Sequence, residues 1–110
     1  MEHLPKTYLN IKERNPEFVA AVEALGTATK QAGPLDEKTA QLIQLAGAAA
    51  LRSEGSVRSH ARRAREAGAS HEEIAHALIL LTSTIGFPAV AAALSWTDTG
   101  TSPPWVSECG

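Results

Sequence analysis

Ser53-Glu54-Gly55-Ser56-Val57-Arg58-Ser59-His60-Ala61-Arg62-Arg63-Ala64-Arg65-Glu66-Ala67-Gly68-Ala69-Ser70-His71-Glu72-Glu73 is the stretch on which the fold turns. At helical spacing, Val57, His60, Ala61, Ala64 and Ala67 fall on one side and Arg58, Arg62 and Arg65 on another. This predicts a helix from about Glu54 to Ala67, stopped by Gly68, which tolerates the left-handed conformation of a helix end. Two residues later, Ser70 and Glu73 form a capping box, in which each side chain satisfies the other residue's backbone N–H. A second helix is therefore expected from Ser70 through Ile74, Leu78, Leu81 and Ile85.

Working outward, Asp36 is placed to cap a helix from about Glu37 to Leu51 that is apolar nearly all round, as expected of a helix covered on several sides. Before it, Asn15-Pro16-Glu17 supplies a capping side chain, a proline suited to a first turn and an acidic residue. These start a helix to about Gln31 whose apolar face is Phe18, Val22, Leu25 and Ala28, and Gly33-Pro34 ends it. On the other side, Gly86-Phe87-Pro88 breaks the chain before a last helix of Ala89 to Leu94 and Trp96. The stretch from Asp98 to Gly110, rich in Pro, Gly, Ser and Thr, is expected to be a flexible tail, with its Trp105 available to dock elsewhere. The fold class is thus all-α, an antiparallel array of about five helices. Its expected divisions are an N-terminal helical segment at 1–34, a core at 35–97 and the tail at 98–110.

The 110 residues and 44% hydrophobic content suit one core and are too few for two. Ten Lys and Arg against twelve Asp and Glu leave a net charge of −2, without the positive field that draws nucleic acid or anionic membranes. No partner of either kind is expected. Without a leader-like or spanning apolar run, the expected location is cytoplasmic. Cys109 is the single cysteine, so no internal disulfide or C-x-x-C chemistry is available. His71 and His76 are five apart and fall on different helix faces, and His3 adds no ligand spacing. Neither a metal nor a cofactor is expected. The apolar excess of the second, fourth and fifth predicted helices points to subunit contacts and hence to a homo-oligomer.

An ordered series of residues carries a family resemblance: Leu42-Ile43-Gln44-Leu45-Ala46, Ser53 to His60, Ala64, Ala67-Gly68-Ala69-Ser70, Glu72-Glu73-Ile74 and Gly86-Phe87-Pro88-Ala89. Through these the chain resembles the carboxymuconolactone decarboxylase family, which includes the alkylhydroperoxidase D proteins. The resemblance spans about Leu35 to Trp96 and implies an all-helical fold assembled as trimers or hexamers. In the family's peroxidase branch, a C-x-x-C-x-x-x-H motif is preceded by a glutamate. Laying His60 on the motif histidine puts Ser53 and Ser56 at the cysteine positions and Gln41 at the glutamate position. A serine hydroxyl forms neither a disulfide nor a sulfenic intermediate, so thiol peroxidase chemistry is not expected. Engineered cysteine replacements would account for the serines but not for Gln41, which favours a naturally cysteine-free branch.

The decarboxylase branch has an acidic residue a little before the same histidine, matched here by Glu54. The implied chemistry is decarboxylation or isomerisation of a small acidic lactone or keto acid, with His60 moving a proton at the carbon that loses carbon dioxide. Catalytic candidates are His60 and Glu54. Six residues are nearly two turns of helix, so the two meet within one chain only if the segment begins irregularly at Gly55, and otherwise across a subunit boundary or not at all. Substrate-binding candidates are Arg58, as a carboxylate anchor, with Ser56, Ser53 and Gln41. Each has a structural alternative. His60 can be a core histidine, Ser53 an N-cap accepting the Ser56 N–H, and Glu54 a partner of the helix dipole. The arginine row can be a salt-bridged face, and Gln41 a buried hydrogen-bonding spacer. Whether the chain is an enzyme stays open here. Beside the lyase stands a non-catalytic oligomer that binds a ligand or partner on the same fold.

Overall fold

The computed structural model describes residues 6–97, so the expected tail, with Trp105 and Cys109, and His3 lie outside the described residues. Among the described residues there are seven helices: α1 (Lys6–Arg14), α2 (Pro16–Gln31), α3 (Glu37–Ala50), α4 (Glu54–Glu66), α5 (His71–Ile79), α6 (Thr82–Ile85) and α7 (Phe87–Trp96). They form two compact units, Met1–Leu35 and Asp36–Gly110. No helix among the described residues is long and apolar enough to cross a membrane.

In the first unit, α1 is an addition to the expected helices. Its sequence, KTYLNIKER, has no capping signal and no acidic residue in its first turn. The helix is tied to α2 through Glu23, which accepts from the Tyr8 hydroxyl and lies 3.7 Å from the Lys12 ammonium. The presence of α1 also corrects the expected role of Asn15. The Asn15 side chain makes no cap bond to α2; its amide turns back and donates to the Ile11 carbonyl at 3.4 Å, which also accepts the Asn15 backbone N–H at 2.8 Å. Pro16 still begins α2. Phe18, Val22 and Leu25, the expected apolar face, are exposed in the chain.

The second unit is built around the hairpin of α3 and α4. Asp36 caps α3 by accepting from the Thr39 N–H at 2.8 Å. At the other end, the Ser53 N–H donates to Ala48 and the Arg52 N–H to Ala49, both at 3.0 Å. That pattern is a Schellman motif with Arg52, φ 57°, in the left-handed position where glycine is usual. The same closure recurs after α4, now with Gly68 at φ 105° and an Ala69 N–H to Ala64 bond of 2.9 Å. Small residues then let the helices approach closely. Leu45, Ala48, Ala49, Val57, Ala61, Ala64, Ala69, Ile74, Leu78 and Ala93 form one buried cluster.

The capping box at Ser70 is present in both directions, Glu73 N–H to Ser70 Oγ at 3.0 Å and Ser70 N–H to Glu73 Oε1 at 2.9 Å. The helix it starts is shorter than expected. Rather than continuing through Ile85, α5 ends at Ile79, and Leu80-Leu81 turn into the short α6. The Thr82 hydroxyl donates to the Ile79 carbonyl at 2.7 Å, and Leu81 N–H reaches only to Leu78 at 3.0 Å, tightening the turn. Hydroxyl-bearing side chains compete in this way with the regular helical ladder, and Thr82-Ser83-Thr84 places three in a row. Gly86, at φ 92°, then admits the chain into α7 with Pro88 in its first turn.

Candidate functional site

Among the largest fully buried side chains, four are aliphatic, Leu45, Leu78, Val57 and Val90; the fifth is Gln41, 1% exposed. A buried amide is costly unless its hydrogen bonds are made. Gln41 makes them across the α3–α4 hairpin. Its Oε1 lies 2.8 Å from Nδ1 of His60, and its Nε2 donates to Oε2 of Glu37 at 2.8 Å. Glu37 and Gln41 are one turn apart on α3, so both face the same way. His60 sits half-buried in the middle of α4, on the same side as the fully buried Val57, Ala61 and Ala64. The row runs from an exposed carboxylate through a buried amide to a half-buried imidazole.

The other candidates gather at the start of α4. Glu54 and Arg58 form an i,i+4 pair in which Oε2 accepts from Nε at 3.0 Å and from Nη2 at 2.7 Å. Arg58 Nη1 also donates to the Trp96 carbonyl at 3.4 Å, linking the start of α4 to the end of α7. Because α4 is helical from Glu54 onward, Glu54 and His60 stand about 9 Å apart along its axis. The Glu54 carboxylate serves Arg58 instead. Ser53 occupies the N-cap position, but its side chain makes no cap hydrogen bond, which corrects the expected bond to the Ser56 N–H. Its backbone carbonyl takes the Val57 N–H at 2.9 Å. Ser56 is exposed, one turn before His60 on the same helix side.

Arg62 and Arg65, the rest of the arginine row, face neighbours on or beside α4. Arg62 Nε lies 3.9 Å from Glu66 Oε2, and the Arg65 guanidinium meets Nε2 of His71. On α5, backbone hydrogen bonding at Ser70 and then the Lys38 ammonium hold the Glu73 carboxyl below the ordinary carboxylate range. Hydrogen bonds from Thr39 do the same for Asp36. Both groups are capping carboxylates rather than parts of the His60 row.

A groove of about 410 Å³ lies elsewhere, between α3 and α5, lined by Leu42, Ile43, Ala46, Ala77, Leu80 and Leu81 with Thr39, Glu73 and His76. None of the six sequence-derived candidates borders it. Its mostly aliphatic lining holds no row of groups comparable to the one at His60. Among the described residues, no group of three or more His, Cys, Asp or Glu side chains is placed to hold a metal ion. Of the candidates, then, the structure brings together Gln41 with His60 and Glu54 with Arg58. Sequence reasoning missed Glu37, whose signal is its i,i+4 spacing from Gln41.

Comparison with known proteins identifies a family. The family model described as "Carboxymuconolactone decarboxylase family" matches residues 16–99, and so takes in the helices from α2 to α7. A protein of Haemophilus influenzae, described as "Uncharacterized protein", is 40% identical over 62 residues, covering 56% of this chain and 55% of the relative. The chain therefore spans about half the length of the curated relative it matches. No solved structure matches.

Proposed function

The chain belongs to the carboxymuconolactone decarboxylase family, and from that premise we propose that it is a cysteine-independent lyase acting on a small acidic lactone or keto acid. The observation that carries the reading is His60, half-buried on α4 and bonded at 2.8 Å to a fully buried amide. An imidazole so placed is oriented for proton transfer. In the proposed step, the bond between the carboxylate carbon and its neighbour breaks. The electron pair passes to the neighbouring carbon and into the adjoining carbonyl, carbon dioxide leaves, and His60, having taken up a proton from solvent, delivers it to that carbon and returns to the neutral ring. Atoms and electrons balance without an oxidant or reductant.

Arg58 receives a substrate carboxylate in competition with Glu54, whose part is to hold the guanidinium rather than to exchange protons with His60. Ser53 and Ser56 offer hydroxyls on the approach to His60. Thiol peroxidase turnover is not part of the proposal, because serines stand at the positions where the peroxidase branch has cysteines.

A second reading, a non-catalytic oligomeric binding module, is supported by the exposed apolar side chains. These include Phe18, Val22 and Leu25 in the first unit and Ile43, Leu80 and Phe87 in the second. Assembly into a trimer or hexamer belongs to both readings. A thermal-shift screen separates them, since a ligand selective for the folded state raises the melting temperature by mass action. Acidic lactones or keto acids should stabilise the intact chain and not His60→Gln. Absence of any such difference would remove the lyase reading.

A further inference from the structure

We propose that Glu37, acting through Gln41, is the positioning residue of the His60 site: it fixes the neutral imidazole with its hydrogen on Nδ1 and its lone pair on Nε2. Which atoms can donate decides the order. A carboxylate offers only acceptor lone pairs, so of the two ends of the Gln41 amide, only the NH2 can face Glu37, at 2.8 Å. The amide cannot turn over without setting its oxygen against a carboxylate oxygen. Oε1 is thereby aimed at His60, 2.8 Å from Nδ1. An amide oxygen has no hydrogen to give, so the ring must supply it, and Nδ1–H is the tautomer that does.

The geometry around the row supports this order. Gln41 is 1% exposed, so water does not readily replace either of its partners, and an amide left half-bonded there would carry a desolvation penalty. Glu37 is exposed, so its charge is solvated while one oxygen remains committed to Gln41. The uncharged amide also distinguishes this arrangement from a direct carboxylate–imidazole pair. It orients the ring through a neutral hydrogen bond at Nδ1. Under the proposed function, this makes Nε2 the nitrogen that takes up and returns the proton. That consequence rests on the lyase reading; the tautomer does not.

The test is long-range ¹H–¹⁵N correlation NMR of the uniformly ¹⁵N-labelled full chain above the imidazole titration range, where the two nitrogens of a neutral ring have distinct shifts. His60 signals are assigned by their loss in His60→Gln. The expected result is a protonated Nδ1 in the intact chain. In Glu37→Gln, whose amide can donate as well as accept, the Nε2–H form should rise about tenfold, equivalent to about 1.4 kcal/mol. A proton on Nε2 in the intact chain overturns the proposal, whatever Glu37→Gln does. So does a Glu37→Gln variant that melts as the intact chain does and keeps its tautomer unchanged. The intact-chain spectrum decides the tautomer even if the variant fails to fold. Should no substrate turn over, the spectra still stand, so failure of the lyase reading and failure of this assignment give different results. If turnover is found, Glu37→Gln should lower kcat with KM little changed.

Discussion

Gln41→Leu removes the row at its centre while keeping nearly the same volume at a position that is 1% exposed. Two hydrogen bonds are lost, to His60 and to Glu37. At about 1 kcal/mol net for each, the loss is about 2 kcal/mol. Placing an aliphatic side chain where an amide was buried returns about 1 kcal/mol. The net destabilisation is about 1 kcal/mol, which for a small domain lowers Tm by about 4–8 °C. The effect on the site should be larger than the effect on the fold. A catalytic ring displaced by about 1 Å loses about 100-fold in rate, and the substituted leucine gives the His60 ring no oriented acceptor. The assay is thermal unfolding and turnover measured on the same preparations. A Tm fall beyond about 20 °C would refute the reasoning by making Gln41 primarily a packing residue. Turnover equal to that of the intact chain would refute it from the other side.

Three further outcomes follow from the local geometry. Ser70→Ala should cost about 1 kcal/mol by breaking the capping box of α5, read as a lower midpoint in urea with an unchanged slope. Arg52→Gly should stabilise the chain by about 0.5–1 kcal/mol, read as a higher urea midpoint, because it removes a left-handed penalty of about 1–2 kcal/mol at φ 57° and adds a smaller unfolded-state entropy cost. Asp36 and Glu73 are both depressed in the folded chain, so the stability they contribute is present above the unfolded carboxylate values and lost as pH falls through the folded ones. A Tm–pH profile should therefore decline below about pH 4, and decline less in Asp36→Asn or Glu73→Gln.

What could be read from sequence was local. The limits of α4, the Gly68 closure and the Ser70 capping box each depend on residues within a few positions of one another, and each is found in the structure. The helices that differ do so because a nearby competitor was not visible. The polar α1 has no capping signal, and once it forms, the Asn15 amide is drawn back to Ile11. The break after Ile79 comes from a threonine hydroxyl bonding to the backbone, a choice that apolar periodicity does not register. At the site, the family resemblance put Gln41 and His60 in related positions, and the hairpin brings them to 2.8 Å. Glu37 was not apparent, because its role appears only when the buried amide is seen to need an acceptor for its NH2 as well as a donor for its oxygen. The separation of Glu54 from His60 was legible as nearly two helical turns, whereas the use of the Glu54 carboxylate by Arg58, one turn away, became apparent with the regular start of α4.

The lyase reading depends on His60 carrying out proton transfer at a carbon that loses carbon dioxide. The most direct measurement is carbon dioxide release from carboxyl-labelled acidic lactones and keto acids by the intact chain and by His60→Gln, with circular dichroism on both. The expected result is release by the intact chain, and at least about a 100-fold loss in a variant that remains folded. Equal release by the two proteins, or none from any such compound while the intact chain is folded and assembled, would contradict it.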